Sequence, residues 1–210
     1  TLVSKLPNLG ESLQKLRAVQ KITLKKEVDD FIFDNLVPSL MYFGEYDVMC
    51  GSCRLQDLRL PNDDKPELKT LKALLELADI SPDQLQPSSA SYEDHKARLE
   101  STANIVTDEV FQYWSQNRDL EVELDVSVPG REDSCWDNNQ YPWLYLRVKN
   151  RKHRVTVPFD NRSKGFVWFF SFFAKFMHIA DQGKPVILLL DEPGLSLHAS
   201  AQADFLRLIN

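Results

Sequence analysis

Val186-Ile187-Leu188-Leu189-Leu190-Asp191-Glu192-Pro193-Gly194 is the stretch that decides the fold. An unbroken apolar run ends abruptly in two carboxylates, a proline and a glycine. A short run of this kind, bounded by turn residues, reads as a strand buried on both faces. Such strands belong to parallel sheets covered by helices, so the fold class is α/β. Ligands of open α/β sheets bind outside the carboxyl ends of the strands. Asp191 and Glu192 therefore stand where chemistry is expected. Two adjacent acids closing a buried strand are costly unless something positive meets them. A magnesium ion with nucleotide phosphates is the natural candidate.

Outward from this strand, the pattern is helical on both sides. Ala199–Ile209 has apolar residues at Ala203, Phe205, Leu206 and Ile209, which predicts a helix. Upstream, Gly183-Lys184-Pro185 leads in from an aromatic stretch over Phe166–Asp181 containing Trp168, Phe169, Phe170, Phe172, Phe173 and Phe176. It is apolar almost all round and predicts a deeply buried helix. Its start, Asn161-Arg162-Ser163-Lys164-Gly165-Phe166, carries a second constellation. Ser163 is placed to cap the helix, and Gly165 lets a backbone approach closely. A helix N-terminus with a hydroxyl, free N–H groups and the adjacent Arg162 and Lys164 is an anion site, with plain helix capping as the simpler alternative.

Before that, Leu120–Val128 alternates strictly with period two, as a half-buried strand does. Pro129-Gly130 turns it and Arg131–Gln140 is a polar loop. Trp143–Val148 and His153–Phe159 are strands about the turn at Lys149–Lys152, giving a meander. The basic residues Arg147, Lys149, Arg151, Lys152 and Arg154 on this hairpin suit a solvated turn better than a nucleic-acid contact. Residues 11–36 have helical spacing, ended by Pro38. Met41–Cys50 is β-prone, and Glu67–Asp79 and Tyr92 to about Asn117 are amphipathic helices.

The chain has 210 residues and a net charge of −6, which suits one large domain or a domain with an arm. The acidic balance argues against broad electrostatic DNA binding by this chain alone. No apolar run approaches the roughly 20 residues that span a bilayer. Thr1–Pro7 lacks the apolar core of a signal peptide, and the missing initiator methionine suggests part of something longer. Cys50-Gly51-Ser52-Cys53 has C-x-x-C spacing. It lacks a second ligand pair for zinc and does not open a helix, so it reads as two small residues in a strand or turn. With Cys135 the cysteine count is odd, which favours a reducing cytoplasm. His95, His153 and His178 read as surface or packed residues. His198 stands just after the acidic strand and reads as a packing or interprotomer contact.

Two segments together carry a resemblance. An apolar run followed by Asp191-Glu192-Pro193 and then Gly194-Leu195-Ser196-Leu197-His198 closely resembles the Walker B strand and D-loop of ABC-type ATPases. A Ser163-x-Gly165 helix start ahead of that strand is similar to their signature motif. The form Arg162-Ser163-Lys164-Gly165-Phe166, running on into Trp168-Phe169-Phe170, resembles AAA-family ATPases related to the overcoming-lysogenization-defect (OLD) nucleases. The resemblance is sharp over 158–210 and weak over 1–157. It implies an α/β fold that is the C-terminal lobe of an ABC-type P-loop ATPase head, at 120–210. Residues 1–119 would be a mostly helical arm or insertion with a strand near 41–60.

The resemblance further implies ATP and Mg2+ as cofactors, with Asp191 on the magnesium and Glu192 as the catalytic group that orients water. Ser163, Gly165, Arg162 and Lys164 would contact the ATP phosphate held by a second protomer, and His198 would contact across the D-loop. The partner would be a second head in a homodimer, with DNA reached through the full-length protein and no membrane. The sequence departs from the family's pattern. It has no G-x-x-x-x-G-K-S/T phosphate loop. On its own it is expected to bind ATP poorly, and a non-hydrolysing regulatory or partner-binding module stands as the alternative.

Overall fold

The apolar run forms a strand, but in a smaller sheet than the pattern suggests. The structure is a computed structural model that describes residues 17, 24–32, 37–60, 65–86, 92–127 and 142–210. Strand β1 (Ser39–Phe43) pairs in parallel with the last strand, β6 (Val186–Leu190), with Ser39 facing Val186 and Phe43 facing Leu190. These two make one sheet. Met41 and Phe43 point into the core, whereas Leu40 and Tyr42 are 65% and 54% exposed. Across from them Ile187 and Leu189 are each 47% exposed. The expectation of a strand buried on both faces is therefore corrected. Among the described residues, helices cover one face only, so side chains alternate between core and solvent as the pleat dictates.

The covering helix is α3 (Lys164–Ala180). Ser163 caps it, accepting the Phe166 N–H at 3.3 Å. Phe43 meets the rings of Trp168 and Phe172 edge-on, both at 5.4 Å, a favoured aromatic geometry. Phe205 of α4 (Ala199–Ile209) packs edge-on against the same two rings. The first half of α3 is buried, as the sequence pattern predicts. From Lys175 onward it is only half-buried.

The second sheet is antiparallel. Strand β3 (Leu120–Ser127) pairs along its whole length with β4 (Trp143–Asn150). The other edge of β4 is shared by β2 (Ser52–Arg54) at one end and β5 (Val155–Pro158) at the other. The expected meander is thus present as β3–β4–β5, with β2 added to it. Val122, Leu124 and Val126 and their partners Val148, Leu146 and Leu144 are buried on one face. Each such side chain contributes on the order of 1.5–3 kcal/mol when fully buried. Helix α2 (Tyr92–Phe111) lies on β3 and buries Leu99, Ala103, Val106 and Val110. The Thr107 hydroxyl accepts the Val122 N–H at 2.8 Å.

Helix α1 (Pro66–Leu77) packs on α3 and starts with proline at the position that needs no N–H partner. Helix α2 ends at Phe111, not near Asn117. Trp114 swings into the core, 5.4 Å from Phe166 and 4.9 Å from Phe169. Ser115 then gives its N–H and hydroxyl to the buried Asp204 of α4, at 2.8 and 3.1 Å. A helix continued to Asn117 could not make both contacts. The boundary expected near 119/120 falls between α2 and β3, and elements on either side of it share both sheets. Of the helix expected over 11–36, residues 24–32 are helical; Leu13, Leu16, Val19 and Ile22 lie outside the described residues. So do Pro129-Gly130, the 131–140 loop and Cys135.

A buried ion pair fastens the turn after β1. Asp47 accepts the Gly44 N–H at 2.9 Å and pairs with Lys175 of α3 at 2.5 Å, and Lys175 also donates to the Tyr42 carbonyl at 2.9 Å. Removing one member of a buried pair strands the other charge, at about 3–5 kcal/mol when burial is complete. Lys175 retains 24% side-chain exposure, which lets water in. Lys175→Met is therefore expected to destabilise the protein by about 2 kcal/mol in urea unfolding. A change under about 0.5 kcal/mol would show that the pair is idle.

Candidate functional site at the end of β6

The residue after β6 still belongs to the ladder, since the Asp191 N–H donates to the Phe43 carbonyl at 3.1 Å. The Asp191 carboxylate then accepts the Tyr42 hydroxyl at 3.4 Å. That neighbouring negative charge, with some burial, raises the Tyr42 phenol above its ordinary pKa. Glu192 has φ +46°, a left-handed backbone that non-glycine residues seldom adopt. Such a conformation costs on the order of 1–3 kcal/mol and persists where its surroundings fix it. Gly194 follows at φ +89°, where glycine is free of that cost. The turn closes on Leu197 N–H to Gly194 carbonyl at 2.9 Å. Gln202 of α4 holds it from below, donating to the Gly194 and Leu197 carbonyls at 3.4 and 3.2 Å.

Asp191 and Glu192 are both exposed. The expectation that their burial demands a positive partner is corrected: water already solvates them. Among the described residues no three His, Cys, Asp or Glu side chains cluster to hold a metal ion unaided. One carboxylate at a strand end fits magnesium of the kind that keeps its waters and is held jointly with phosphates, not an all-protein cage.

The second constellation meets the first through its backbone. A Cβ added to Gly165 would lie 2.4 Å from the Ser196 carbonyl oxygen, so the start of α3 is pressed against the turn that follows β6. Leu197 is buried beneath that contact, whereas Leu195 stands 79% exposed beside it. Ser163 and Lys164 are exposed at the helix start. The Arg162 guanidinium stands over the Phe166 ring, 5.2 Å from its centre, and its Nε is buried without a hydrogen-bond partner. His198 occupies the cap position of α4 but makes no side-chain capping bond. Among the described residues no hydrogen bond or ion pair joins Asp191 or Glu192 to Arg162, Ser163 or Lys164. The two constellations are packed together through their backbones, yet no hydrogen bond or ion pair among the described residues joins their polar side chains.

Two residues that sequence reasoning missed belong here. Tyr42 reaches Asp191 only because β1 pairs with β6, a contact between residues 149 apart in sequence with no local signal. Gln202 is one turn into a helix, and nothing in its spacing marks it. Elsewhere the structure supports the plainer readings. Lys149 and Arg151 pair with Glu123 and Glu121 of β3, at 3.2 and 3.4 Å, which neutralises part of the basic hairpin. His178 pairs with Glu76 of α1 at 3.3 Å, and His153 is exposed. His95 is buried, and burial followed by the nearby Arg98 lowers its pKa.

No family model and no solved structure matches the chain. It is 28% identical over 99 residues to an uncharacterized protein, MJECL43, of Methanocaldococcus jannaschii. That match covers 45% of this chain and 23% of the relative, so it spans under a quarter of the relative's length.

Proposed function

We propose that the chain contributes the Walker B strand, D-loop and signature-like helix start of an ABC-type, OLD-related ATPase head that hydrolyses ATP as a head-to-head dimer in the cytoplasm, in DNA-related or phage-defence work. The observation that carries this reading is the contact of Gly165 with the Ser196 carbonyl. It joins the helix start to the turn that follows the two acids, as an arrangement serving two neighbouring phosphate sites requires. The left-handed Glu192 and the exposed Leu195 and His198 add to it: strain tends to be held at functional sites, and an apolar tip beside carboxylates suits a contact surface.

In this reading Asp191 is the carboxylate that would hold magnesium together with nucleotide phosphates. Bound magnesium would neutralise charge on those phosphates. Glu192 orients and polarises the attacking water. Ser163, Lys164 and the free N–H groups opening α3 meet a phosphate from the second protomer, where the helix dipole favours negative charge. Arg162 adds positive charge next to them. The reading needs a phosphate loop that this sequence does not contain. A non-hydrolysing regulatory or partner-binding module is the second reading, and a full-length protein without that loop would favour it.

Ser163→Arg separates the cis and trans roles. A bulky cation at the exposed helix start is expected to lower dimer-dependent hydrolysis at least about tenfold while each protomer still binds ATP. Turnover by the full-length protein and binding of a fluorescent ATP analogue measure the two. Loss of binding itself would contradict the trans assignment, and a full-length protein without turnover would favour the regulatory module.

A further inference from the structure

The outer face of the antiparallel sheet carries aromatic rings and guanidiniums in one row. Along β4, Leu144, Leu146 and Val148 are buried, so the pleat turns Trp143, Tyr145, Arg147 and Lys149 to the opposite face, where each is half-buried. On β2 the buried Cys53 faces the core, and the next residue, Arg54, faces out directly opposite Trp143. The start of β2 is fastened in place. The Gly51 N–H donates to Asp160 at 2.8 Å, and the Gly51 carbonyl accepts the Leu146 N–H at 2.7 Å. The Arg54 guanidinium stands over the Trp143 ring at 5.7 Å, and the Arg147 guanidinium stands over the Tyr145 ring at 5.5 Å. Between them the two rings are stacked, 6.4 Å apart and 22° from parallel. The row therefore runs Arg54, Trp143, Tyr145, Arg147.

We infer that this row binds single-stranded nucleic acid, with bases stacked on its rings and guanidinium planes and phosphates met by Arg54 and Arg147. Carboxylates flank the row on β3, but they are directed elsewhere or left to water. Glu123, opposite Arg147, takes Lys149 and the Thr156 hydroxyl; Glu121 takes Arg151; and Asp125, opposite Tyr145, is exposed. Among the described residues no carboxylate pairs with Arg54 or Arg147. Each guanidinium therefore rests on a ring and keeps N–H donors for a phosphate. Two rings between two such cations suit a polymer that alternates flat bases with phosphates. A free anion would leave the rings unused, and a duplex hides the faces of its bases. The net charge of −6 fits this kind of ligand, because stacking supplies affinity with few phosphate contacts. Of the hairpin cations only Arg147 belongs to the row. Arg54 comes from β2, which no spacing in the sequence joins to it. The face lies on the other sheet from Asp191 and Glu192, so binding here is independent of the ATPase reading.

The test is fluorescence anisotropy of labelled oligothymidylate and oligouridylate with the intact protein and no ATP. At least one strand is expected to bind about tenfold tighter than a duplex of the same length, and tighter by a similar factor than an abasic strand, which keeps the phosphates without the bases. The tighter of the two tells DNA from RNA. Tyr145→Leu is expected to weaken binding at least about fivefold while leaving its salt dependence unchanged. Arg147→Gln is expected to weaken binding and to reduce the slope of log affinity against log salt by about 0.7, the share of one phosphate contact. Urea unfolding of both variants keeps lost binding apart from lost folding. No binding by either strand, equal binding of the duplex or the abasic strand, or affinity that survives both substitutions together would overturn the inference.

Discussion

On the proposed ATPase reading, replacing Glu192 by Gln is expected to lower ATP hydrolysis by the full-length protein at least about a hundredfold, while ATP stays bound and the dimer accumulates. The amide keeps the size and the hydrogen-bonding reach of the carboxylate but cannot draw charge towards the attacking water. Phosphoryl transfer depends on positioning and charge placement, so losing that one interaction acts on the transition state and hardly on binding. The substitution is also clean structurally. Glu192 is exposed, and its left-handed backbone serves Gln no worse than Glu. Stability should then hold within about 0.5 kcal/mol, as for surface changes generally. Turnover under saturating Mg-ATP, with light scattering for the dimer, reads both effects. Unchanged turnover would remove Glu192 from the chemistry.

What could be read from the sequence depended on how local the cause was. Helices α1, α3 and α4 and strands β3, β4 and β6 follow from periodicity within their own residues, and Ser163 caps α3 as its position suggests. Spacing alone overstates the length of α2 because its end is set from afar. Trp114 and Ser115 leave the helix to meet Phe166, Phe169 and Asp204. The exposure of Ile187 and Leu189 was invisible for a similar reason. Five apolar residues look the same whether one or both faces of a sheet are covered. At the candidate site, residue types and order marked Asp191, Glu192, Ser163 and Gly165. Tyr42 and the pinning of Gly51 by Asp160 arise from long-range pairing, which leaves no trace in nearby spacing.

Gly165→Ala is expected to destabilise the protein by about 3 kcal/mol, at the upper end of the range for overpacking a filled interior. The argument rests on what the new methyl would strike. Its carbon would lie 2.4 Å from the Ser196 carbonyl oxygen, with Leu197 at 3.5 Å behind it. A backbone oxygen cannot rotate away as a side chain can, so relief requires α3 and the turn to part. The turn is not free to yield: Gln202 holds two of its carbonyls, and Leu197 is anchored in the core. On the other side, α3 is fixed by Phe43, Phe205 and Trp114 around its rings. Gly51 gives the contrast, because the methyl there meets only the exposed Asp160 carboxylate, which can swing aside at the expense of one hydrogen bond. Gly51→Ala should therefore cost less, about 1–2 kcal/mol. Urea unfolding of both variants measures the difference without reference to any activity. Equal losses would show that the helix and the turn can separate freely, and the two constellations would then no longer be one mechanical unit. If Gly165→Ala proves the costlier, its surviving folded fraction should also have a displaced turn after β6, and on the proposed ATPase reading hydrolysis should fall further than the folded fraction alone explains.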